Sequence, residues 1–288
     1  MPELPEVQTV VDDLKKAIVG ATIVSFDSFW KKNVACGVQK FKKEVVGKKI
    51  EDIQRRAKFI IFKLEGDSVI ILHLRMTGQL LLEKSISKSK KTTLLPKKKY
   101  IRHKWELKKN DEEYNLLFHD IRKFATVDWT DNIGNYKSFK KLGVEPFSDE
   151  FTVAKLAVIL KSKRTIRSVL LDQQLIVGIG NIYVSEILFG AGIYPGRLAD
   201  SLTKHEISEL YEKIITILSR AITLRGTTFS DYRDSEGKIG GFQNFLKVYN
   251  KEGKQCEKRG CTEIIQKEAL NQRSSFWCAE CQKSIKNY

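Results

Sequence analysis

Four cysteines near the end of the chain have the spacing of a metal site. They follow the pattern C-x4-C, sixteen residues, C-x2-C: Cys256, Cys261, Cys278 and Cys281. Two close pairs at this separation are typical of a tetrahedral thiolate zinc site on a hairpin, and four thiolates fill the coordination shell. We therefore expect one structural Zn²⁺. A pair of disulfides is the competing interpretation, which a reducing compartment disfavours.

The segment between the cysteine pairs contains "LNQRSSFW". On a short, rigid hairpin, Arg273 would be suited to binding a phosphate. From the spacing alone, a solvent-facing arginine is an equally good account. Cys36 stands apart in a β region and is most simply a buried small residue.

The chain begins MPELPEV, with Pro2, Glu3, Pro5 and Glu6 in close succession. One interpretation is structural, because proline suits the first turn of a helix and carboxylates there stabilise its dipole. The other concerns the Pro2 nitrogen, which becomes an α-amine if Met1 is removed. An α-amine titrates near pH 8, so a useful fraction is unprotonated and nucleophilic at neutral pH.

The periodicity of apolar residues divides the chain into sheet and helical parts. A first amphipathic helix follows the start and stops near Gly20, and residues 22 to 129 then consist of short apolar and β-branched runs between turn residues. After residue 148 the period is helical, with a capping box at Thr203 and Glu206. The pattern predicts an α+β protein: an N-terminal β-sandwich with flanking helices, a helical domain and a cysteine-bearing hairpin.

We expect three parts: residues 1–145, 146–245 and 246–288, with the first boundary near Gly143 and Pro146. Residues 83 to 104, rich in lysine and serine, are predicted to form an exposed loop.

Composition restricts the class of partner. The 288 residues include 51 Lys and Arg against 35 Asp and Glu, a formal net charge of +16. Such an excess favours a polyanion, either nucleic acid or an anionic membrane surface, although a lysine-rich surface can also serve solubility alone. No apolar run long enough to span a membrane and no secretory leader is present, so we expect a cytoplasmic protein.

Several separated stretches resemble the bacterial formamidopyrimidine-DNA glycosylase family. Besides MPELPEV and the cysteine group they are "RRAKFIIF" at 55–62, "LHLRMTGQL" at 72–80, "HDIRKFATVDW" at 119–129 and "LLDQQLIVGIGNIYVSEILFGAGIYP" at 170–195. The resemblance implies a helix-two-turn-helix module in the helical domain. It also implies a bifunctional glycosylase and lyase that excises oxidised purines, including 8-oxoguanine and formamidopyrimidines, and cleaves the strand by β,δ-elimination.

The resemblance assigns roles to individual residues. Pro2 would be the nucleophile, Glu3 the acid/base partner and Glu6 a supporting group, while helix stabilisation is an equally good account of Glu6. Contacts to DNA phosphates beside the lesion are implied for Lys58, His73, Asn181 and Arg273. Side chains that fill the gap left by a flipped base are implied at Met76, Arg122 and Phe124, and residues 225–242 resemble the loop that closes over that base.

The chain departs from the family pattern at a few places. Its first cysteine pair is C-x4-C where C-x2-C is usual, and "HDIRKFA" has Ile121 for proline and Ala125 for glycine. The partner is expected to be double-stranded DNA containing an oxidised base or abasic site, bound by a monomer near the nucleoid. Alternatives are an endonuclease VIII-like enzyme for oxidised pyrimidines, which Leu4 argues against, a non-catalytic damaged-DNA-binding protein, and a ribosome-associated basic protein.

Overall fold

The computed structural model describes residues 1–85, 98–229, 232–270 and 272–282. The chain forms two compact units, the first of Met1–Lys140 with Leu224–Gln243 and the second of Lys141–Thr223 with Asn244–Tyr288. Among the described residues, no helix is long and apolar enough to cross a membrane.

The first unit begins with helix α1, Leu4–Ile18. Glu3 and Glu6 form a capping box at its start, and Gly20, with φ +91°, follows its end. The apolar residues that predicted this helix lie on its buried face: Val7, Val10, Val11, Leu14 and Ile18. The expected first helix is confirmed.

Two four-stranded antiparallel sheets follow. The strands are β1 Thr22–Ser28, β2 Ile50–Arg56, β3 Phe59–Leu64, β4 Val69–His73, β5 Gly78–Lys84, β6 Ile101–Lys109, β7 Glu112–Asp120 and β8 Thr126–Thr130. One sheet has the order β1-β6-β7-β5 and the other β2-β3-β4-β8. The short helix α2, Val38–Val45, interrupts the region that the sequence predicts as β.

One hydrophobic core joins the inner faces of the two sheets to α1. It contains Phe26 and Trp105 from one sheet, Phe62 and Leu72 from the other, and Leu14 from the helix. Apolar side chains from both sheets and the helix leave water together in this core, which is the main force holding such layers together. The predicted α+β sandwich is therefore confirmed.

The predicted loop at 83–104 is shorter than expected at both ends. Glu83 and Lys84 belong to β5, and β6 already begins at Ile101, which pairs with His119. The expectation is wrong there because the ladder hydrogen bonds of β7 extend both strands. Residues 86–97, which form most of the predicted loop, lie outside the described residues.

The second unit contains the helices α3 Val153–Ile159, α4 Ile166–Leu171, α5 Asn181–Gly190 and α6 Lys204–Thr223, and the hairpin of β9 Ile265–Leu270 with β10 Arg273–Cys278. The predicted capping box at the start of α6 is present, since the Glu206 backbone N–H donates to Thr203 Oγ1 at 3.3 Å and the Thr203 N–H to Glu206 Oε2 at 2.8 Å. Leu210, Ile214 and Leu218 form the buried stripe of α6.

The segment Leu224–Gln243 makes its contacts with the first unit, although the sequence interpretation includes 225–242 in the helical part. Arg225 donates to Asp13 on α1 at 2.6 Å, and the Leu82 N–H of β5 donates to the Ser235 carbonyl at 2.8 Å. These bonds join the segment to α1 and the sheet. Residues 230 and 231 of the predicted closing loop lie outside the described residues, and the division into 1–145, 146–245 and 246–288 stays a prediction.

Candidate functional site

The N-terminal residues are held by the side chain of Glu6, which is 1% exposed. Its Oε2 accepts from the Glu3 backbone N–H at 2.7 Å, and its Oε1 accepts from the Thr227 N–H at 2.7 Å. A Cβ on Gly226 would lie 2.7 Å from Glu6 Oε1, so glycine permits this close approach. Glu6 therefore fixes the position of Glu3 and joins it to the segment 224–243.

The turn between β2 and β3 carries Lys58, which is buried although it is charged. Ala57 adopts φ +55° in this turn. Arg55 connects the turn to α1, because its Nε donates to Gln8 Oε1 at 2.8 Å and its guanidinium also donates to the Ala57 carbonyl at 3.0 Å. The predicted lysine is thus held on a hairpin that is bonded to the first helix.

His73 ends β4, the strand next to β3, and lies in the same register as Phe59. Burial, with the positive charges of Arg75 and Lys58 nearby, lowers the pKa of His73 from 6.5 to about 3. Its Nδ1 accepts from the Arg75 backbone N–H at 2.9 Å. The ring is therefore neutral at pH 7 with its proton on Nε2, and this N–H is a donor suited to a phosphate oxygen.

Met76, Arg122 and Phe124 come from two separate loops and lie together. Met76 is 42% exposed and Phe124 54% exposed. The Arg122 guanidinium contacts both, at 3.0 Å from Met76 Sδ and 4.9 Å from the centre of the Phe124 ring. Exposed apolar side chains gathered around one arginine are costly for a surface in water and are typical of a contact surface.

A buried carboxylate holds both loops. Asp120 is fully buried, its Oδ2 accepts from the Ala125 N–H at 2.9 Å, and its Oδ1 accepts from the Arg122 N–H at 3.2 Å and from the Thr77 hydroxyl at 2.5 Å. Thr77 adjoins Met76, so one side chain positions all three exposed residues. The sequence interpretation missed Asp120, and an acidic residue two positions after the apolar run Leu116–Phe118 was the available signal.

In the second unit, Asn181 begins α5 and Arg273 begins β10. Arg167, which is 1% exposed, connects these elements. It donates to Asn181 Oδ1 at 2.5 Å, to the Leu270 carbonyl at 3.0 Å and to the Ser274 carbonyl at 3.3 Å, and Asn181 Nδ2 also donates to the Ser274 carbonyl at 3.1 Å. Asn181 and the hairpin are thereby held in one fixed arrangement.

Arg167 and Arg273 also line an open cleft of about 610 Å³ together with Lys163 and Arg164. Asp172 also lines the cleft and pairs with Arg164, but the four cationic side chains outnumber this carboxylate, so the potential in the cleft is positive and attracts an anion. Sequence reasoning missed Arg167, whose signal is a basic residue among the buried positions of a short helix.

The four cysteines of the C-terminal pattern meet in the second unit. Their sulfur atoms all lie within 4.8 Å of one another, and the cysteines are free of disulfides. This group can hold a metal ion. A buried carboxylate holds the segment that precedes the cysteines. Glu186 on α5 accepts hydrogen bonds from the backbone N–H groups of Lys247, Val248 and Tyr249 at 2.8 to 3.0 Å.

We expect His73 to stay neutral far below the usual pH of a histidine. Between pH 6.5 and about 3 the unfolded state binds more protons at this residue than the folded state, so folding stability falls as pH drops through that range. NMR titration of the ring would show the Nε2-protonated form at pH 6 and no protonation above pH 5. His73→Asn keeps an acceptor and should reduce the acid loss of stability in part, since the buried His103, with a pKa of about 4, contributes in the same range. A midpoint near 6.5 for His73 would contradict this account.

Arg167→Leu should destabilise the second unit by about 3 kcal/mol, because it leaves carbonyl and amide acceptors without a charged donor. The matched control is Arg164→Leu, which removes a largely exposed arginine whose ion pair with Asp172 spans 2.8 Å. An exposed pair contributes about 0–1 kcal/mol. Urea unfolding of both variants makes the comparison, and equal losses would show that the buried bonds of Arg167 carry no special weight.

The chain is similar over its full length to known proteins. A family model for the formamidopyrimidine-DNA glycosylase N-terminal domain matches residues 1–127, and one for the H2TH domain of the same glycosylase matches residues 142–233. A formamidopyrimidine-DNA glycosylase from Carboxydothermus hydrogenoformans is 39% identical over 98% of this chain and 100% of its own length. One from Lactococcus lactis subsp. cremoris is 38% identical, again over 98% of this chain and 100% of its own.

Solved structures agree with these relatives. The Lactococcus lactis Fpg in complex with DNA that contains an abasic site has a TM-score of 0.86 at 36% identity, covering 98% of this chain and 100% of the other. The same bacterium's Fpg bound to DNA with an oxidised pyrimidine has a TM-score of 0.85. With both domains matched in order and curated relatives similar from end to end, this chain belongs to the formamidopyrimidine-DNA glycosylase family.

Proposed function

We propose that the protein is a bifunctional DNA glycosylase and lyase of base excision repair that excises oxidised purines, such as 8-oxoguanine and formamidopyrimidines, from double-stranded DNA. The observation that carries this proposal is the contact of Met76, Arg122 and Phe124 with one another on the surface of the unit that also contains Pro2 and Glu3. A glycosylase must fill the gap that a flipped base leaves, and a cationic side chain between two apolar ones fits that gap.

The chemistry proposed for Pro2 starts once Met1 is removed. Its secondary amine attacks C1′ of the damaged nucleotide and loses its proton, while the C1′–N bond to the base breaks and the base leaves with a proton. The C1′–O4′ bond then breaks as O4′ takes up a proton, which opens the sugar ring and leaves an iminium at C1′. The resulting iminium acidifies the C2′ hydrogen, and loss of that proton expels the 3′ phosphate; a second elimination expels the 5′ phosphate. Glu3, held by the capping box, would move the protons, and Glu6 would keep it in place.

Four residues are proposed to bind the phosphates beside the lesion. In the first unit these are Lys58 and the neutral His73, whose Nε2–H is a donor. In the second unit they are Asn181 and Arg273, whose elements Arg167 holds together. Arg122 would pair with the orphaned base, while Met76 and Phe124 separate its neighbours. The segment 225–242 would close over the flipped base.

The cysteine group fits a structural zinc ion. Sulfur ligands about 2.3 Å from zinc in a tetrahedron are about 3.8 Å apart. The Sγ atoms of Cys256 and Cys281 are 3.8 Å apart, and those of Cys261 and Cys278 are 3.6 Å apart. A bound ion would cross-link the cysteine-bearing segment 256–281, which we call the finger. The finger contains the β9–β10 hairpin, and this hairpin carries Arg273.

A second candidate function is the excision of oxidised pyrimidines. The Lactococcus lactis Fpg has been solved with DNA containing such a base, which keeps this activity open for a relative of similar fold. The presence of both Pro2 and Glu3 argues against a third hypothesis, that the protein binds damaged DNA without catalysis. We further propose that the protein is a monomer and acts at the nucleoid in the cytoplasm. We also propose three domains, with boundaries at about residues 145 and 245.

Borohydride trapping tests the proposed chemistry. On a duplex with a single 8-oxoguanine opposite cytosine, we expect a covalent product, and mass mapping should locate it on a peptide that starts at Pro2. Pro2→Gly should reduce capture at least about tenfold, which corresponds to ~1.4 kcal/mol in the barrier. Pro5→Ala is the matched control, because it changes the other proline of the same heptapeptide and leaves the amine intact.

The outcomes of this trapping experiment separate the candidates. Full capture by Pro2→Gly would move the nucleophile elsewhere. Capture only on a duplex with an oxidised pyrimidine would favour the second candidate, and no capture on any damaged or abasic duplex by protein with a free Pro2 would favour the binding protein.

Cys278→Ser should lower the zinc content of the purified protein from about one ion per chain and weaken binding to an abasic-site duplex roughly tenfold, the loss expected when one charged phosphate contact is no longer held. Cys36→Ser is the control, since Cys36 lies outside the sulfur cluster. Metal analysis and fluorescence anisotropy give the two readouts. Unchanged zinc content and unchanged DNA affinity in Cys278→Ser would contradict the proposal that a zinc-bound finger holds Arg273 for DNA binding.

A further inference from the structure

The loop that carries Arg122 and Phe124 turns at Lys123, whose φ is +61°. A side chain in this left-handed conformation is disfavoured for any residue with a Cβ, so a neighbouring contact must hold the turn. The turn matters for the site because it lies between the two exposed residues, and the Arg122 guanidinium is 4.9 Å from the Phe124 ring centre.

The contact that holds Lys123 comes from Trp30. The Lys123 Nζ lies 3.9 Å from the centre of the Trp30 ring, within the range of a cation–π interaction. Trp30 lies two residues after the end of β1 and is half-buried. Lys32 also approaches this ring, but at 5.8 Å and from the segment of Trp30 itself.

The segment around Trp30 is bonded to the ends of the same loop. Asn33 Nδ2 donates to the Ala125 carbonyl at 2.7 Å, and the Phe29 N–H donates to the Arg102 carbonyl at 2.7 Å. The Arg102 side chain donates in turn to the Asp120 carbonyl at 2.7 Å. Residues 29–33 therefore contact the loop at its tip, through Trp30, and at its end, through Asn33, while Arg102 connects them to its beginning at Asp120.

We infer that Trp30 is a positioning residue for the Arg122 and Phe124 pair, and that it acts by holding Lys123 in the left-handed turn. The inference rests on the proposed function, because it concerns how these side chains enter the gap left by a flipped base. Asp120 holds the loop through the Arg122 and Ala125 N–H groups, and the contact with Trp30 adds a hold on Lys123 between them.

The test measures the insertion step directly. The probe is a duplex with a tetrahydrofuran abasic-site analogue opposite cytosine and 2-aminopurine next to it, whose fluorescence rises when inserted side chains unstack it. In stopped-flow mixing, Trp30→Ala should slow this rise about fivefold, the effect of one lost cation–π contact. Trp30→Phe keeps an aromatic face and should restore the rate to within about twofold of the wild type. Lys32→Met is the matched control and should leave the rate unchanged.

A double-mutant cycle tests whether Lys123 transmits the effect. Lys123→Met should slow insertion by a similar factor, and adding Trp30→Ala to it should change little further, because both changes remove the same contact. Hydrogen exchange of the free protein supplies a readout without DNA: amides in the peptide 120–126 should exchange faster in both variants, and peptides from the core strands should not.

Unchanged insertion rates and unchanged exchange in Trp30→Ala and Lys123→Met would overturn the inference, as would independent, multiplicative effects in the cycle. A lower melting temperature with the wild-type insertion rate would assign Trp30 a role in stability alone. If the wild type shows neither a fluorescence change nor covalent trapping, the proposed function itself fails, and that outcome is distinct because it appears before any substitution is made.

Discussion

The arrangement at the N-terminus depends on the cost of burying the Glu6 carboxylate. A buried carboxylate needs donors, and here the two oxygens accept from the Glu3 N–H and the Thr227 N–H, both at 2.7 Å. One donor lies beside the candidate nucleophile and the other lies in a segment more than two hundred residues later. If the Glu6 carboxylate turned into water, it would lose both hydrogen bonds, and neither donor would be held in its position. Glycine at 226 follows from the same constraint, because a Cβ there would clash with the carboxylate. The bond by which Glu6 caps the helix is therefore the same bond by which it would support Glu3 in the proposed reaction.

Buried polar side chains hold the other functional elements in a similar way. Asp120 joins the two loops that present the exposed trio, and Arg167 joins the start of α5 to the finger hairpin. Both are surrounded by backbone groups that need partners, so their bonds fix loop geometry that apolar packing alone leaves free. Each exposed candidate residue thus has a buried neighbour that determines where it lies. Without such a buried neighbour, the exposed residue would still be present but would have no defined position. The buried residues therefore matter for function as well as for stability.

Much of this could be predicted from the sequence, for physical reasons that differ between elements. The short apolar and β-branched runs of the strands, the amphipathic α1 and the capping box of α6 are local patterns, and local patterns specify local structure. The cysteine spacing predicted the sulfur cluster because a four-thiolate site constrains both separations. The helix α2 was missed since its eight residues lie inside a region of strands. Arg167, Asp120 and the location of 224–243 depend on contacts between residues far apart in the chain, and single-sequence periodicity carries no information on such contacts.

The exposed trio brings two requirements into conflict. The insertion proposed for Met76, Arg122 and Phe124 needs side chains that face solvent, yet side chains free to rotate lose entropy when they are ordered on binding. The structure meets both requirements by keeping the tips exposed and fixing the backbone beneath them, through Asp120 at the loop ends and Trp30 at Lys123. Part of the ordering then takes place during folding instead of during binding. Contact within the trio serves the same end, since the arginine lies against the apolar side chains that would enter the duplex with it. Side chains proposed to insert into DNA therefore lose least entropy on binding when they form a small rigid projection. The positive charge of the remaining surface can attract DNA without determining where this projection enters the duplex.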